Sequence, residues 1–195
     1  MIETLAGLGR TMGFSFAAGI NLYATVALLG LASRYGWVAL PEQYRIFDNN
    51  WIIGIALAMY AIEFVADKIP WVDSIWDGVH TAIRPIGGAA IAIATLGDAS
   101  PGMKTMVGIL GGTLAAGTHL TKAGTRAAAN TSPEPFSNWI LSLSEDAFVV
   151  SLGLIALKFP LIAAGIVVFA VLLMVIFAAW IARAVRRRWG RRATA

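Results

Sequence analysis

The sequence predicts an all-α polytopic integral membrane protein, and three observations carry that expectation. The 195 residues are 58% hydrophobic and only 13% charged, about half the charged share of a soluble domain. Mean hydropathy is +0.72. Several apolar runs reach the roughly 20 residues that cross a bilayer core. Those runs fill almost the whole chain, so residues 1–195 read as a single transmembrane domain with a short basic tail at 183–195.

Six spans are expected, near 11–33, 51–66, 75–96, 103–129, 139–157 and 159–182. The first is too long for the 7–15-residue core of a signal peptide, and Glu3 lies before it, so it reads as a retained span. The polar stretch "EQYRIFDNNW" (42–51) separates spans 1 and 2 and ends in an interfacial tryptophan. Span 3 grows out of "ADKIPWVDSIWDGVHTAIRP" (66–85), where Pro70 suits a first helical turn. The turn residues of "LGDASPGMK" (96–104) and "NTSPEPFSNW" (130–139) bound spans 4 and 5. "KFP" (158–160) is a tight link into span 6. Span 2 is short, and spans 2 and 5 are candidates for re-entrant segments.

The arginine-rich tail predicts a cytoplasmic C-terminus, and an even number of spans then predicts a cytoplasmic N-terminus. Membrane lipids are the expected partners of the tail, and nucleic acid is not. "FAAGINL" (16–22) and "LAAGTHL" (114–120) share a pattern. It is compatible with an inverted repeat of three plus three spans, or with chance similarity in Ala/Gly-rich sequence.

The ionisable residues fall on helix faces. Asp73, Asp77, His80 and Arg84 form one stripe on span 3, and His119, Lys122 and Arg126 form another on span 4. Glu63 and Asp67 lie on span 2, and Glu145 and Asp146 on span 5. A charge in the bilayer core costs several kcal/mol unless paired or hydrated. The stripes should therefore face one another around a polar hollow open to the cytoplasm. Such a hollow is either an ion or substrate path or an ion-pair network fixing helix register. The candidate path comprises Asn21, Glu63, Asp73, Asp77, His80, Arg84, His119, Lys122, Arg126, Glu145 and Asp146. Asn21 and Thr25, one turn apart, are either interhelical hydrogen-bond partners or pore-lining groups. Lys68 is expected to snorkel to the interface, and Trp71 and Trp76 to anchor there.

No catalytic residues, cofactor or metal ligands are expected. There is no cysteine. No HExxH, G-x-S-x-G or P-loop pattern occurs. Asp73, Asp77 and His80 could ligate a divalent ion with Glu63 or Asp67, but the adjacent cations compete for those carboxylates. The small-residue stripe Gly108, Gly112, Ala116 suits close helix approach and a homo-oligomer.

"AAGINLYATVALLGL" (17–31), "EFVADKIPWVDSIWDGVHTAIRPIGGA" (63–89) and "SPEPFSNWILSLSEDA" (132–147) together resemble the domain-of-unknown-function family 4126, small bacterial multi-span membrane proteins. The resemblance covers the chain to about span 5. It implies a bacterial inner-membrane protein and supplies no activity. The leading expectation from the residues is transport or channel activity for an ion or small polar solute. The alternatives are a protein that binds or flips lipid phosphates, with Arg84, Lys122 and Arg126 on the phosphate, and a non-catalytic scaffold or accessory subunit.

Overall fold

The computed structural model describes residues 2–130 and 136–192. Seven helices follow in order: α1 (Ile2–Ile20), α2 (Leu22–Tyr35), α3 (Asn50–Ala66), α4 (Pro70–Leu96), α5 (Pro101–Ala129), α6 (Phe136–Lys158) and α7 (Pro160–Arg192). A 3-10 turn, Glu42–Phe47, joins α2 to α3. No strand occurs among the described residues. The turn expected at 130–139 falls partly on 131–135, outside the described residues, as do 193–195 of the tail.

Local chemistry explains most helix starts. Pro70, Pro101 and Pro160 each occupy a first turn, where a missing N–H costs nothing. Ser100 and Asn49 cap α5 and α3 by accepting from Met103 N and from Trp51 and Ile52 N. Three helices are long and apolar enough to cross a membrane: α4, α6 and the 160–180 part of α7. The interior is inverted relative to a soluble protein. Arg84 and Arg126 are the largest fully buried side chains, while Trp51, Ile75, Ile86, Leu110, Phe169 and Phe177 are exposed. An apolar exterior around a charged core suits hydrocarbon as the solvent.

Spans 2 to 6 correspond to α3 to α7. Span 1 does not form one helix. It breaks at Asn21, whose φ of −145° and ψ of 100° are extended. The Asn21 side chain accepts from Ala24 N and caps α2. Two donors from α5 take carbonyls at the end of α1: Thr118 Oγ1 bonds Phe16 O, and Lys122 Nζ bonds Ile20 O at 3.3 Å.

The two arms fold back on one another. In one continuous helix Phe14 and Leu28 would lie about 21 Å apart. Instead both side chains border the same point beside Gly153. Along α6, Asp146 meets Asn21 and Gly153 meets Leu28, so α2 runs parallel to α6. Phe148 meets Phe16 and Ala156 meets Gly13, so α1 runs antiparallel to it. The pair is a splayed V with Asn21 at its tip. The break thus falls in the first expected span, while α3 and α6, the candidates for re-entry, are unbroken helices.

This reverses the sense of α1. Thr11 bonds Thr95, Ser15 bonds Gly88 O and Tyr23 bonds His80, a descending register along α4. Gly9 abuts Pro160 at the start of α7. The α4–α5 turn, the α6–α7 turn and the start of α1 thus share one end of the bundle, called upper here. The α3–α4 turn and the end of α7 are at the lower end. The start of α1 and the end of α7 therefore lie at opposite ends of the bundle. Ser15 packs at Gly111, Gly19 at Ala115 and Ile20 at Lys122, so "FAAGINL" and "LAAGTHL" run side by side in the same direction. An inverted repeat requires them to run oppositely, so this pair of patterns lends it no support.

A groove of about 1140 Å³ separates α5 from α7, with α1 as its floor. Met12, Val107, Leu114, Gly117, Leu172 and Met174 are among its lining residues.

Candidate functional site

The tip of the V points into the charged cluster. α3 supplies Glu63 and Asp67, α4 supplies Asp73, Asp77, His80 and Arg84, α5 supplies His119, Lys122 and Arg126, and α6 supplies Glu145 and Asp146. Glu63, Asp73 and Arg84 are fully buried. The helical stripes read from the sequence face one another here because lipid-facing positions cannot hold charge.

Arg84 donates to Glu63 Oε1 at 2.6 Å and to Asp77 Oδ1 at 3.1 Å. Its Nη1 also lies 2.6 Å from His119 Nδ1. A guanidinium only donates, so Nδ1 must be the bare nitrogen of a neutral ring. The His119 proton then sits on Nε2 and is donated to Thr81 Oγ1, 3.1 Å away. Lys122 Nζ binds Asp67 Oδ2 at 2.9 Å, with Glu63 and Glu145 both at 3.5 Å. Arg126 binds Glu145 Oε2 at 2.6 Å, Asp67 Oδ2 at 3.0 Å and the Asp67 carbonyl at 2.7 Å, with Asp73 at 3.7 Å.

His80 lies apart from this lattice. Its Nδ1 donates to Trp76 O at 2.7 Å, its Nε2 meets the Tyr23 hydroxyl at 2.9 Å, and its ring stacks on Trp76. Trp76 thus forms a wall of the His80 pocket, and Trp71 is exposed. Thr25 donates to Asn21 O within its own helix. Lys68, in the α3–α4 turn, folds back onto Phe64 O and Ser142 Oγ instead of reaching outward. Burial pulls its ammonium below the usual lysine value, and Asp146 and Asp67 oppose that pull.

Asp146 differs from the other five acids. None of the three cluster cations lies within ion-pair distance of it among the described residues. Its Oδ1 accepts from Asn21 Nδ2 at 3.1 Å, and its Oδ2 is buried without a hydrogen-bond partner. Glu63 Oε2 and Asp67 Oδ1 are likewise buried and unpartnered. Six carboxylates stand against three cations, so the ionised cluster is strongly acidic. No three acidic or imidazole groups among the described residues converge as metal ligands would.

A cavity of about 260 Å³ reaches the cluster near the lower end, between α4 and α5. Asp73, Asp77 and Arg126 form its inner wall, and exposed Ser74 and Gly78 form its rim.

All eleven candidate residues thus gather around one interior, with His80 at its side and Asn21 at its top. Asp67 was not among them, yet it bridges Lys122 and Arg126. Tyr23, Asn130 and Asn138 were also unanticipated. Asn138 donates to Asn130, and Asn130 donates to Asp73 Oδ2 at 3.3 Å. In the sequence these asparagines belong to the turn stretch at 130–139. Their burial depends on how α5 and α6 pack.

The chain belongs to the family described as Domain of unknown function (DUF4126), whose model matches residues 8–180. The match extends past span 5, where the resemblance was expected to stop, and takes in most of α7. No curated protein and no solved structure matches the chain.

Proposed function

We propose that this protein is a multi-pass membrane transporter or channel for an ion or small polar solute, and that the species it handles at the cluster is cationic. One observation carries the reading: a broken, doubled-back helix pair ends on a buried cluster in which acids outnumber fixed cations. Discontinuous helices build substrate and ion sites in membrane transporters because their free ends present backbone charge at depth. Ionisable groups in a membrane interior default to function on grounds of cost.

In this reading α3 to α7 cross the bilayer, and α1 with α2 enters and leaves from the upper side. The arginines at 183–192 set the lower end in the cytoplasm. The N-terminus is then outside. Apart from the tail, the upper end carries more basic residues (Arg10, Arg34, Arg45, Lys104, Lys158), so the tail decides the orientation.

The lipid-phosphate reading has the α5–α7 groove in its favour, since that groove suits a hydrocarbon chain. Charge opposes it. Arg84, Lys122 and Arg126 are each already bonded to carboxylates, and a phosphate would meet a surplus of negative charge.

The test is reconstitution into sealed proteoliposomes with imposed gradients of H⁺, Na⁺ and K⁺. Cation flux above that of empty vesicles, lost in Glu63→Gln with the fold intact, supports the proposal. Equal flux in vesicles with and without protein for all three ions removes its cationic part.

A further inference from the structure

The mismatch of charge in the cluster has to be met by something. Six acids face the three cations of the ion-pair lattice, Lys68 being engaged by Phe64 O and Ser142 Oγ, and His119 is held neutral by the Arg84 guanidinium. A carboxylate buried without a counter-charge is costly enough to neutralise itself by taking up a proton. The question is which acid does so.

Geometry separates the candidates. Glu63 and Asp77 each touch Arg84. Asp67, Asp73 and Glu145 each lie within ion-pair distance of Arg126, and Asp67 and Glu145 also of Lys122. Asp146 has only a neutral amide, and more than nine-tenths of it is buried. The groups facing it come from every neighbouring element. α3 presents Asp67 and, with Glu63, the Tyr60 phenol. The α3–α4 turn presents Lys68, and α5 presents Lys122. The V presents Asn21. Between 160 and 182 α7 brings no titratable residue, and Glu145 on α6 itself faces Arg126.

From this juxtaposition we propose that Asp146 is a proton-binding site, occupied at neutral pH, and that Asn21 at the re-entrant tip is its clamp. The inference deepens the transport reading, because it names the proton as the cation. The vacant Oδ2 is the atom that carries the proton. Asn21 Nδ2 donates to the other oxygen, and the Asn21 carbonyl oxygen is tied to Ala24 N, so the amide cannot flip to accept. The clamp therefore binds either protonation state at Oδ1 and leaves Oδ2 free to exchange. The Asn21 N–H steadies the ionised form at Oδ1, so loss of this donor tightens the hold of the carboxyl on its proton.

The experiment is infrared difference spectroscopy of the protein in bilayers, stepping pH through neutrality in H₂O and D₂O. Wild type is compared with Asp146→Asn and Asn21→Ser. Asp146→Asn is nearly isosteric and keeps a partner for Asn21. Pyranine-loaded proteoliposomes report proton flux in parallel. The expected result is a deuterium-sensitive protonated-carboxyl band in wild type, absent in Asp146→Asn and displaced in Asn21→Ser. A folded Asp146→Asn protein that keeps the whole band overturns the site, and so does a wild type without the band. If the band behaves as expected but wild-type vesicles carry no protons, the site stands and the transport reading falls.

Discussion

Asn21 and Asp146 meet 3.1 Å apart across 125 positions of sequence. This contact couples the tip of a doubled-back helix pair to the acid that has no cation. It also makes the backbone break and the charged cluster one structure. The same asparagine caps α2 through its carbonyl oxygen and serves Asp146 through its amide, so both ends of the side chain are committed.

Asn21→Ala should therefore cost more than an ordinary cap. Loss of an N-cap costs about 0.5–2 kcal/mol. Stranding a buried acceptor costs roughly a further 1–3 kcal/mol. Asn21→Asp keeps the cap and sets two carboxylates against each other. Reversible unfolding in mixed micelles should find both variants less stable than wild type, with Asn21→Asp losing further ground as pH rises. A wild-type midpoint for Asn21→Ala would mean the break is held by the surrounding helices alone.

Arg84 is the counter-charge of both Glu63 and Asp77 and has no exposure at all. Arg84→Gln leaves Asp77 unmatched and Glu63 with Lys122 alone, 3.5 Å away, and should cost about 3–5 kcal/mol. Adding Glu63→Gln removes one of them, so the double variant should be less damaged than the sum of the singles. A coupling energy of about 0.5–3 kcal/mol is expected from the cycle. Simple additivity would mean that water or another group neutralises Glu63.

How much of this was legible follows from where the information lies. Pro70, Pro101, Pro160 and Ser100 act on their own first turns, so the starts of α4, α5 and α7 could be read locally. The charged stripes were legible because helical spacing puts Asp73, Asp77, His80 and Arg84 on one face, and lipid forbids that face outward. The break was not legible. Residues 11–33 form one apolar run, and nothing within it separates a kinked span from a straight one. The groups that stabilise the break, Thr118, Lys122 and Asp146, lie about a hundred or more positions away. The break at Asn21 also sets the sense of α1 and the relative direction of the two seven-residue patterns.

Tyr44 gives a prediction in alkali. It sits in the 3-10 turn at the upper end, 1% exposed, with its hydroxyl unpartnered and its ring edge-on to Phe14. Burial pushes the phenol up to about 12, with nearby Arg10 acting weakly the other way. The folded state thus holds the proton more tightly than the unfolded chain, whose value is near 10. Stability from this site is complete below about pH 10 and is lost as pH climbs toward 12. Tyr44→Phe removes an unpaired hydroxyl and should flatten that alkaline decline with little change at pH 7. An unchanged decline in the variant would assign it to other groups.

Close approach of α1 to α5 depends on Gly19. A methyl group there would collide with Thr118 Oγ1 and the Ala115 carbonyl. Gly54, on the outer face of α3, has nothing within 4 Å. Gly19→Ala should destabilise by about 1–3 kcal/mol through overpacking. Gly54→Ala should be neutral or stabilise by about 0.5–1 kcal/mol, as the helix loses a flexible residue. Equal effects at both sites would contradict the packing of the V against α5.

The arrangement of the chain across the bilayer can be tested directly, because the sequence has no cysteine to remove. Single cysteines at Glu3, Glu42 and Asp98 mark the upper end, and single cysteines at Ile69 and Arg186 mark the lower; all five positions are exposed. Labelling of intact cells with an impermeant maleimide should modify the first three and spare the other two until the membrane is opened. Grouping of position 3 with position 186 would mean that α1 and α2 together cross the bilayer, and the re-entrant reading would be lost. Grouping of 3, 42 and 98 on the inner side would keep the V and invert the protein. In that case the five upper basic residues would outweigh the arginine tail, and the cluster would open outward.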